Sequence, residues 1–346
     1  MNTINLLKET ALLDIFPLIV AFAVTALLGP VFIPWLHKLK FGQEIREEGP
    51  AWHQKKSGTP TMGGIMFIAG IGAAIAATVA MSAIKGSLDA VFVKSCVLPY
   101  LIALGFGLIG FVDDYIKVVK KRNLGLTAAQ KFLMQLGLAV VYIGALYLMG
   151  LLETDIYVPF VKASVTLPVW LYIPFVLFVI VGVVNAVNLT DGLDGLAASV
   201  TAVVAFTMAA AAYIVFGSAG LSVFSAAMLG GMIGFLLYNK YPAKVFMGDT
   251  GSLFLGAAVA LMAIDLKIEI YLILIGFVYF AETLSVIIQT SYFKYTKKKY
   301  GEGRRVFKMT PIHHHFEMCG WNEKKIVAVF AAVTALLCCI AWILMP

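Results

Sequence analysis

The sequence is short of charge. Only 13% of its 346 residues are Asp, Glu, Lys or Arg, about half the share of a soluble domain. Disordered chains and nucleic-acid-binding domains both need dense charge, so both classes are excluded. An ordinary cytosolic enzyme fits no better. Cysteine is scarce too. Cys96, Cys319, Cys338 and Cys339 have no C-x-x-C spacing, and three lie in apolar surroundings. This argues against a disulfide framework and against a structural zinc site. The first residues lack an Arg-rich leader and an A-x-A cleavage site, so the first apolar run is read as a retained span.

What is present is hydrophobic. Apolar residues make up 61% of the chain, with a mean hydropathy of +0.92. Ten runs have about the length that crosses a bilayer core. They are Ile15–Leu36, Met62–Ile84, Cys96–Val112, Phe132–Leu152, Leu167–Val187, Leu193–Phe216, Leu221–Tyr238, Ser252–Ile264, Ile270–Thr290 and Ile326–Met345. Backbone polar groups must pair internally in lipid, so the runs are helices. The alternation of a membrane barrel is absent. The expected fold is an all-α polytopic membrane protein of about ten transmembrane helices, one integral-membrane domain over residues 1–346 without internal repeat.

Orientation follows from the positive charges. The segments 37–61, 113–131, 238–251 and 293–325 hold 21 of the 26 Lys and Arg residues. The other side holds Lys8, Lys85, Lys94, Lys162 and Lys267. By the positive-inside rule the first set is cytoplasmic and both termini are extracytoplasmic. The net charge of +7 is thus a topology signal rather than a nucleic-acid footprint. Asp113, Asp114, Asp191, Asp194 and Asp249 all fall at the cytoplasmic ends of spans, where ionisable groups are costly and usually functional.

Four motifs carry chemistry. Gly110-Phe-Val-Asp113-Asp114-Tyr115 closes the third span. Adjacent carboxylates do not share a helix face, so one can meet a divalent metal while its neighbour accepts a proton. A solvated helix end is the plainer account, but acid at a helix C-terminus opposes the macrodipole. In Asn185-Ala-Val-Asn188-Leu-Thr-Asp191-Gly192-Leu-Asp194-Gly195, polar groups recur every third residue and are expected on one helical face. The alternative is a polar interhelical seam. In Phe246-Met-Gly248-Asp249-Thr250-Gly251-Ser252, Asp249 precedes the eighth span, as a cap or as an oxygen ligand suited to Mg²⁺. The backbone N–H groups there are placed to meet phosphate. Thr310-Pro311-Ile312-His313-His314-His315 reads as a helix start with Thr310 as N-cap and Pro311 first in the helix. It puts histidines in the first turn, pointing different ways, either as phosphate donors or as a solvated run.

Lysines complete the set. Lys56 precedes Thr61 and the Gly63-Gly64 pair, Lys117 follows the aspartate pair by one turn, and Lys131 opens the fourth span. Lysine suits phosphate as a point charge, although topology alone explains many lysines. The cluster Lys297-Lys298-Lys299 with Arg304-Arg305 reads as anionic-lipid contact and topology signal. Glu282 and Gln289 in the ninth span are either interhelical glue or part of a lipid groove.

Five boxes in order, GTPTMGG (58–64), GFVDDY (110–115), NAVNLTDGLDG (185–195), FMGDTGS (246–252) and PIHHHFE (311–317), together resemble the phospho-N-acetylmuramoyl-pentapeptide-transferase family. This family lies within the polyprenyl-phosphate N-acetylhexosamine-1-phosphate transferases. The resemblance spans nearly the whole chain. It implies a bacterial plasma-membrane enzyme of peptidoglycan synthesis, typically a homodimer among membrane lipids. Such an enzyme uses Mg²⁺ to transfer phospho-N-acetylmuramoyl-pentapeptide from its UDP derivative (UDP-MurNAc-pentapeptide) to undecaprenyl phosphate, giving lipid I and UMP. It implies catalytic roles for Asp113, Asp114 and Asp249, the last as metal ligand. It implies binding roles for Lys56, Thr61, Lys117, Lys131, Asn185, Asn188, Asp191, Asp194, Asn239, Phe246, His313 and His314. It also implies a broken, bent ninth helix beside a groove for the lipid carrier. Another transferase of the superfamily and a secondary transporter are the competing readings. The latter is disfavoured because the acids gather at one interface rather than at the midplane.

Overall fold

The computed structural model describes residues 3–39, 56, 58–86, 88–119, 125–161 and 163–346. In chain order they form α1 (Thr3–Lys38), α2 (Gly64–Ile84), α3 (Ala90–Val119), α4 (Ala128–Leu148), strands β1 (Asp155–Val158) and β2 (Ala163–Thr166), and α5 (Val169–Thr190). Then come α6 (Leu196–Ala210) with a π-helical turn at Ala211–Val215, α7 (Ala219–Asn239), α8 (Gly248–Asp265), α9 (Leu272–Ile275), α10 (Phe277–Tyr300), α11 (Ile312–Met318) and α12 (Glu323–Leu344).

Among the described residues, nine helices are long and apolar enough to cross a bilayer, namely α1 to α8 and α12. The molecule is a mostly helical, multi-pass membrane protein. It departs in two places from the spans read off composition, the first being a break in the ninth helix of the kind the family resemblance implied. The apolar run Ile270–Thr290 is not one uninterrupted span. It breaks at Gly276, whose N–H bonds back to the Leu272 carbonyl at 2.8 Å and closes α9. The following α10 runs on to Tyr300 and carries Glu282, Gln289 and Lys297 to Lys299, so by itself it is not apolar enough to count among the nine. The fold is also not purely helical. Residues 155–158 and 163–166 pair as an antiparallel hairpin, Asp155 opposite Thr166, with Ile, Val, Tyr and Thr side chains that suit a pleated ribbon.

Helix α8 sits at the centre, buried from Thr250 through Ile264. Its Gly, Ala and Ser content explains this position. Lipid tails are as apolar as leucine, so membrane helices associate by close backbone approach at small residues. A Cβ on Gly256 would lie 2.6 Å from the Val184 Cα of α5, and one on Gly110 of α3 would lie 2.1 Å from the Asp249 carbonyl oxygen. These contacts seat the end of α3 against the first turn of α8. The segment before α2 is tied to the same place by backbone bonds. Phe246 N–H donates to Pro60, Gly63 N–H to Phe246, and Gly64 N–H to Met247, at 2.8 to 3.0 Å. Four sequence-distant stretches therefore meet where α8 begins.

Candidate active site

The first turn of a helix leaves N–H groups without intrahelical partners. In α8 these groups are met by Asp114 of α3. Its Oδ1 accepts the Asp249 N–H at 3.2 Å, and its Oδ2 accepts the Thr250 N–H at 2.9 Å and the Thr250 hydroxyl at 2.8 Å. The local cap expected from Asp249 or Thr250 is not formed. Met247 is the N-cap, without a side-chain bond. The helix start expected to receive phosphate is thus already engaged by a carboxylate. Gly248 permits this, with a φ of +69° and its Cα facing Asp114 and Thr61.

With its backbone so fixed, Asp249 presents its carboxylate to three donors. Lys117 and Lys131 donate to Oδ2 at 2.8 and 2.9 Å, and Asn188 donates to Oδ1 at 2.7 Å. Asn188 is itself held by Ser252 at 2.8 Å. Asp113 faces another way from its neighbour, as adjacent helical residues must. Its Oδ2 pairs with Lys117 at 2.6 Å, and its Oδ1 accepts the Leu126 N–H at 2.7 Å. Ligand oxygens of Asp113, Asp114 and Asp249 lie within 4.8 Å of one another. Asp113 and Asp114 are each 3% exposed, while the Asp249 side chain retains 16%. Three carboxylates and two ammonium groups thus share one small space.

The third-residue repeat of the 185–195 motif does not stack on one face, because α5 ends at Thr190 and the chain turns at Asp191. Asn185 turns away from the aspartates, bonding Gln135 of α4 at 2.7 Å and the Val181 carbonyl at 2.8 Å. Asn188 alone reaches Asp249. Asp191 sits in the turn. Burial, and then the negative charges of Asp249, Asp114 and Asp194, push its carboxyl up to about 8. Asp194 belongs to a second cluster, where Lys56 pairs with it and with Glu323, both at 2.7 Å. Burial by itself lowers the Lys56 pKa, but the bonds to both carboxylates outweigh it and hold the ammonium above its ordinary value. Asp194 also accepts the Ala243 N–H at 2.9 Å.

The remaining motif residues surround these clusters. Asn239 accepts the Gly195 N–H at 3.1 Å and donates to the Val245 carbonyl at 2.9 Å, bracing both glycine-bearing loops. Thr61 is buried beside Gly248, and Phe246 is half-buried with its backbone on Pro60. The histidines diverge. His313 is buried, its Nδ1 3.0 Å from Glu282 Oε2 and its ring against Gly192. His314 lies 2.6 Å from Glu317, and His315 accepts the Lys308 N–H at 3.2 Å. Helix α11 begins at Ile312 with Pro311 as its N-cap, so the cap is one residue later than Thr310 and lacks a side-chain bond.

Sequence reasoning missed Glu323, which reads as an ordinary acidic first-turn residue of α12, and Gln135, which reads as one polar residue on an apolar helix. Neither carries a local signal, because their partners lie 267 and 50 residues away. Glu282 stands out in the sequence as an acid within an apolar run, but its bond to His313 is a tertiary fact.

Residues 96–267 match glycosyl transferase family 4, and residues 56–68 match signature 1 of phospho-N-acetylmuramoyl-pentapeptide-transferase. The chain is 48% identical to the phospho-N-acetylmuramoyl-pentapeptide-transferase of Staphylococcus carnosus, over 90% of this chain and 93% of that one. It is 46% identical to that of Clostridium beijerinckii over 99% of each, and 48% identical to that of Halalkalibacterium halodurans over 94% and 95%.

Proposed function

The chain belongs to the phospho-N-acetylmuramoyl-pentapeptide-transferase family, and from that premise we propose that its α3–α8 site moves phospho-N-acetylmuramoyl-pentapeptide from UDP to undecaprenyl phosphate. It is a transferase of peptidoglycan synthesis. The products are lipid I and UMP. The observation that carries the reading is the convergence of Asp113, Asp114 and Asp249 with Lys117 and Lys131.

A water-soluble nucleotide sugar meets a lipid phosphate only at a membrane surface, and these groups sit at the ends of spans. The lysine distribution makes that surface cytoplasmic, with ten crossings, α9 and α10 supplying the tenth, and both termini outside. The enzyme works in the bacterial plasma membrane as a homodimer in contact with membrane lipids.

The donor set suits Mg²⁺, a hard cation that takes one or two carboxylates and leaves positions for substrate phosphate. Asp249 would hold it, being the most accessible of the three clustered carboxylates. When bound, the cation supplies charge neutralisation on the pyrophosphate. The chain's own groups do the rest. Lys117 and Lys131 offset the repulsion between two anionic substrates. Asp114 fixes the backbone of Asp249, and Asp113 orients Lys117. Lys56, held by Asp194 and Glu323, borders the glycine turns where the nucleotide half would lie. The acceptor phosphate oxygen forms a new bond to the phosphorus attached to the sugar. The bond from that phosphorus to the bridging oxygen breaks, and UMP leaves with that oxygen. Direct attack is favoured over an aspartyl intermediate because each aspartate already accepts two or three bonds that a nucleophile would have to shed.

Purified protein with undecaprenyl phosphate, Mg²⁺ and either UDP-MurNAc-pentapeptide or UDP-N-acetylglucosamine tests this. Lipid I and UMP are expected from the first donor only. Product from the second alone would move the chain to another branch. UMP exchange into the donor without lipid would replace direct attack by a two-step route.

A further inference from the structure

Past Glu282, α10 does something the transfer reaction does not require. Leu284, Ile287, Ile288, Tyr292 and Tyr295 are exposed, and their spacing of three, four, eight and eleven residues from Leu284 places them on one helical stripe. The opposite face carries the buried Glu282, Ser285, Gln289 and Thr296. Two of these polar groups hold the following segment folded back along the helix. Gln289 Oε1 accepts the N–H groups of Val306 and Phe307 at 2.9 and 3.0 Å, and its Nε2 donates to the Phe307 carbonyl at 3.1 Å. Thr296 Oγ1 accepts the Arg304 N–H at 2.8 Å. Gly303 lies against the Phe293 ring.

This return gathers like charges. Residues 291–310 contain Lys294, Lys297, Lys298, Lys299, Arg304, Arg305 and Lys308 against a single acid, Glu302. Among the described residues, none of these seven forms an ion pair. Their contacts are aromatic or backbone. Lys299 stands over the Tyr295 and Tyr300 rings at 5.6 and 5.2 Å, and Arg304 over Tyr300 at 4.8 Å. Arg305 and Lys308 donate to the carbonyls of Lys308 and Met318. Folding seven cations together without counter-charge costs energy, and that cost is recovered when an anion is supplied from outside. An exposed apolar stripe that ends in tyrosines and lysines is the pattern of a helix seated in a membrane–water interface.

We propose that the basic end of α10 and the returned segment 303–308 form a binding site for the phosphate headgroups of anionic phospholipids. The apolar stripe lies among acyl chains, while Lys297 to Lys299, Arg304 and Arg305 hold the headgroups. The proposal uses the membrane placement but not the transferase chemistry, so either can fail alone.

The test uses full-length protein in detergent, titrated with phosphatidylglycerol, phosphatidylcholine or soluble glycerol phosphate, with bound lipid counted by native mass spectrometry. Wild type is expected to retain phosphatidylglycerol over the other two, and less of it at high salt, where exposed charges are screened. A membrane-adjacent lysine contributes roughly fivefold in affinity, so K297Q/K298Q/K299Q should weaken retention by at least ~10-fold. The arginine version, K297R/K298R/K299R, should keep it. Thr296→Val changes no charge but frees Arg304, and should weaken retention several-fold. Equal retention of phosphatidylcholine, or unchanged phosphatidylglycerol binding in the glutamine triple variant, would overturn the site. Tight glycerol phosphate binding would also overturn it, since a lipid site needs the acyl stripe.

Discussion

Asp114 of α3 caps α8 from outside the helix: one carboxylate oxygen takes both the backbone N–H of Thr250, at 2.9 Å, and its hydroxyl, at 2.8 Å. A bond across 136 residues thus does the work that a neighbouring Ser or Asp does at an ordinary helix start. It separates the two aspartates of the pair into different jobs, and it makes the position of Asp249 depend on α3.

Asp114→Asn and Asp249→Asn should therefore fail differently. An amide at position 114 sets a donor against the donors of α8, which costs about 1–3 kcal/mol. Asp114→Asn should lower the melting temperature and turnover together, leaving the Mg²⁺ dependence of the residual activity near wild type. Asp249→Asn should hold its melting temperature and need at least ~10-fold more Mg²⁺, as loss of a metal-orienting group typically does. Thermal scans beside Mg²⁺ titrations decide it. Indistinguishable Mg²⁺ curves would refute the division of labour.

Gly248→Ala should abolish most turnover. Its φ of +69° is strained for alanine, and the added Cβ would lie 2.4 Å from Asp114 Oδ2 and 2.6 Å from Thr61 Oγ1. Backbone strain by itself costs about 1–3 kcal/mol. Gly217→Ala isolates that part, because Gly217 has a φ of +61° with nothing within 4 Å of its Cβ. The control should lose some stability and keep its kcat. An active Gly248→Ala enzyme would mean the site tolerates a displaced Asp114.

Lys131→Met removes one of the two ammonium groups on Asp249 Oδ2 and leaves Lys117 in place. Pyrophosphate binding should suffer more than the integrity of the cluster. We expect KM for the UDP donor to rise about 10-fold, the equivalent of ~1.4 kcal/mol, with a smaller fall in kcat. Lys131→Arg should recover only part, because a planar guanidinium is not a point charge. Steady-state kinetics with both substrates varied reads this directly. A kcat-only effect would place Lys131 in the chemical step instead.

Asp191 should make stability depend on pH. Its carboxyl is raised to about 8 in the folded protein, against about 3.9 unfolded. The folded state therefore keeps a proton that the unfolded chain releases. This contribution is fully present below about pH 4 and is lost as pH rises through about 8. Asp191→Asn should melt a few degrees higher than wild type at pH 9 and show a smaller gain at pH 5, measured without divalent metal. Equal shifts at both pH values would show that Asp191 does not titrate in this window.

The sequence was sufficient for whatever follows from transfer out of water. Each apolar run reports its own partition into lipid, and each lysine its own preference for one side, so multi-pass helical character was legible locally. The five boxes and their order were equally plain, which carried the family. What no local pattern contains is which groups meet. The pairing of Asp114 with α8, of Lys56 with Glu323 and of Gln289 with the return after α10 depends on helices packing at glycines and alanines far apart in the chain. The 185–195 motif makes the same point. Its period of three promised one polar face, but α5 stops at Thr190, and Asn185, Asn188 and Asp194 turn to three different partners. Spacing along a chain fixes directions only while a helix lasts, and beyond its end the packing of the whole bundle decides.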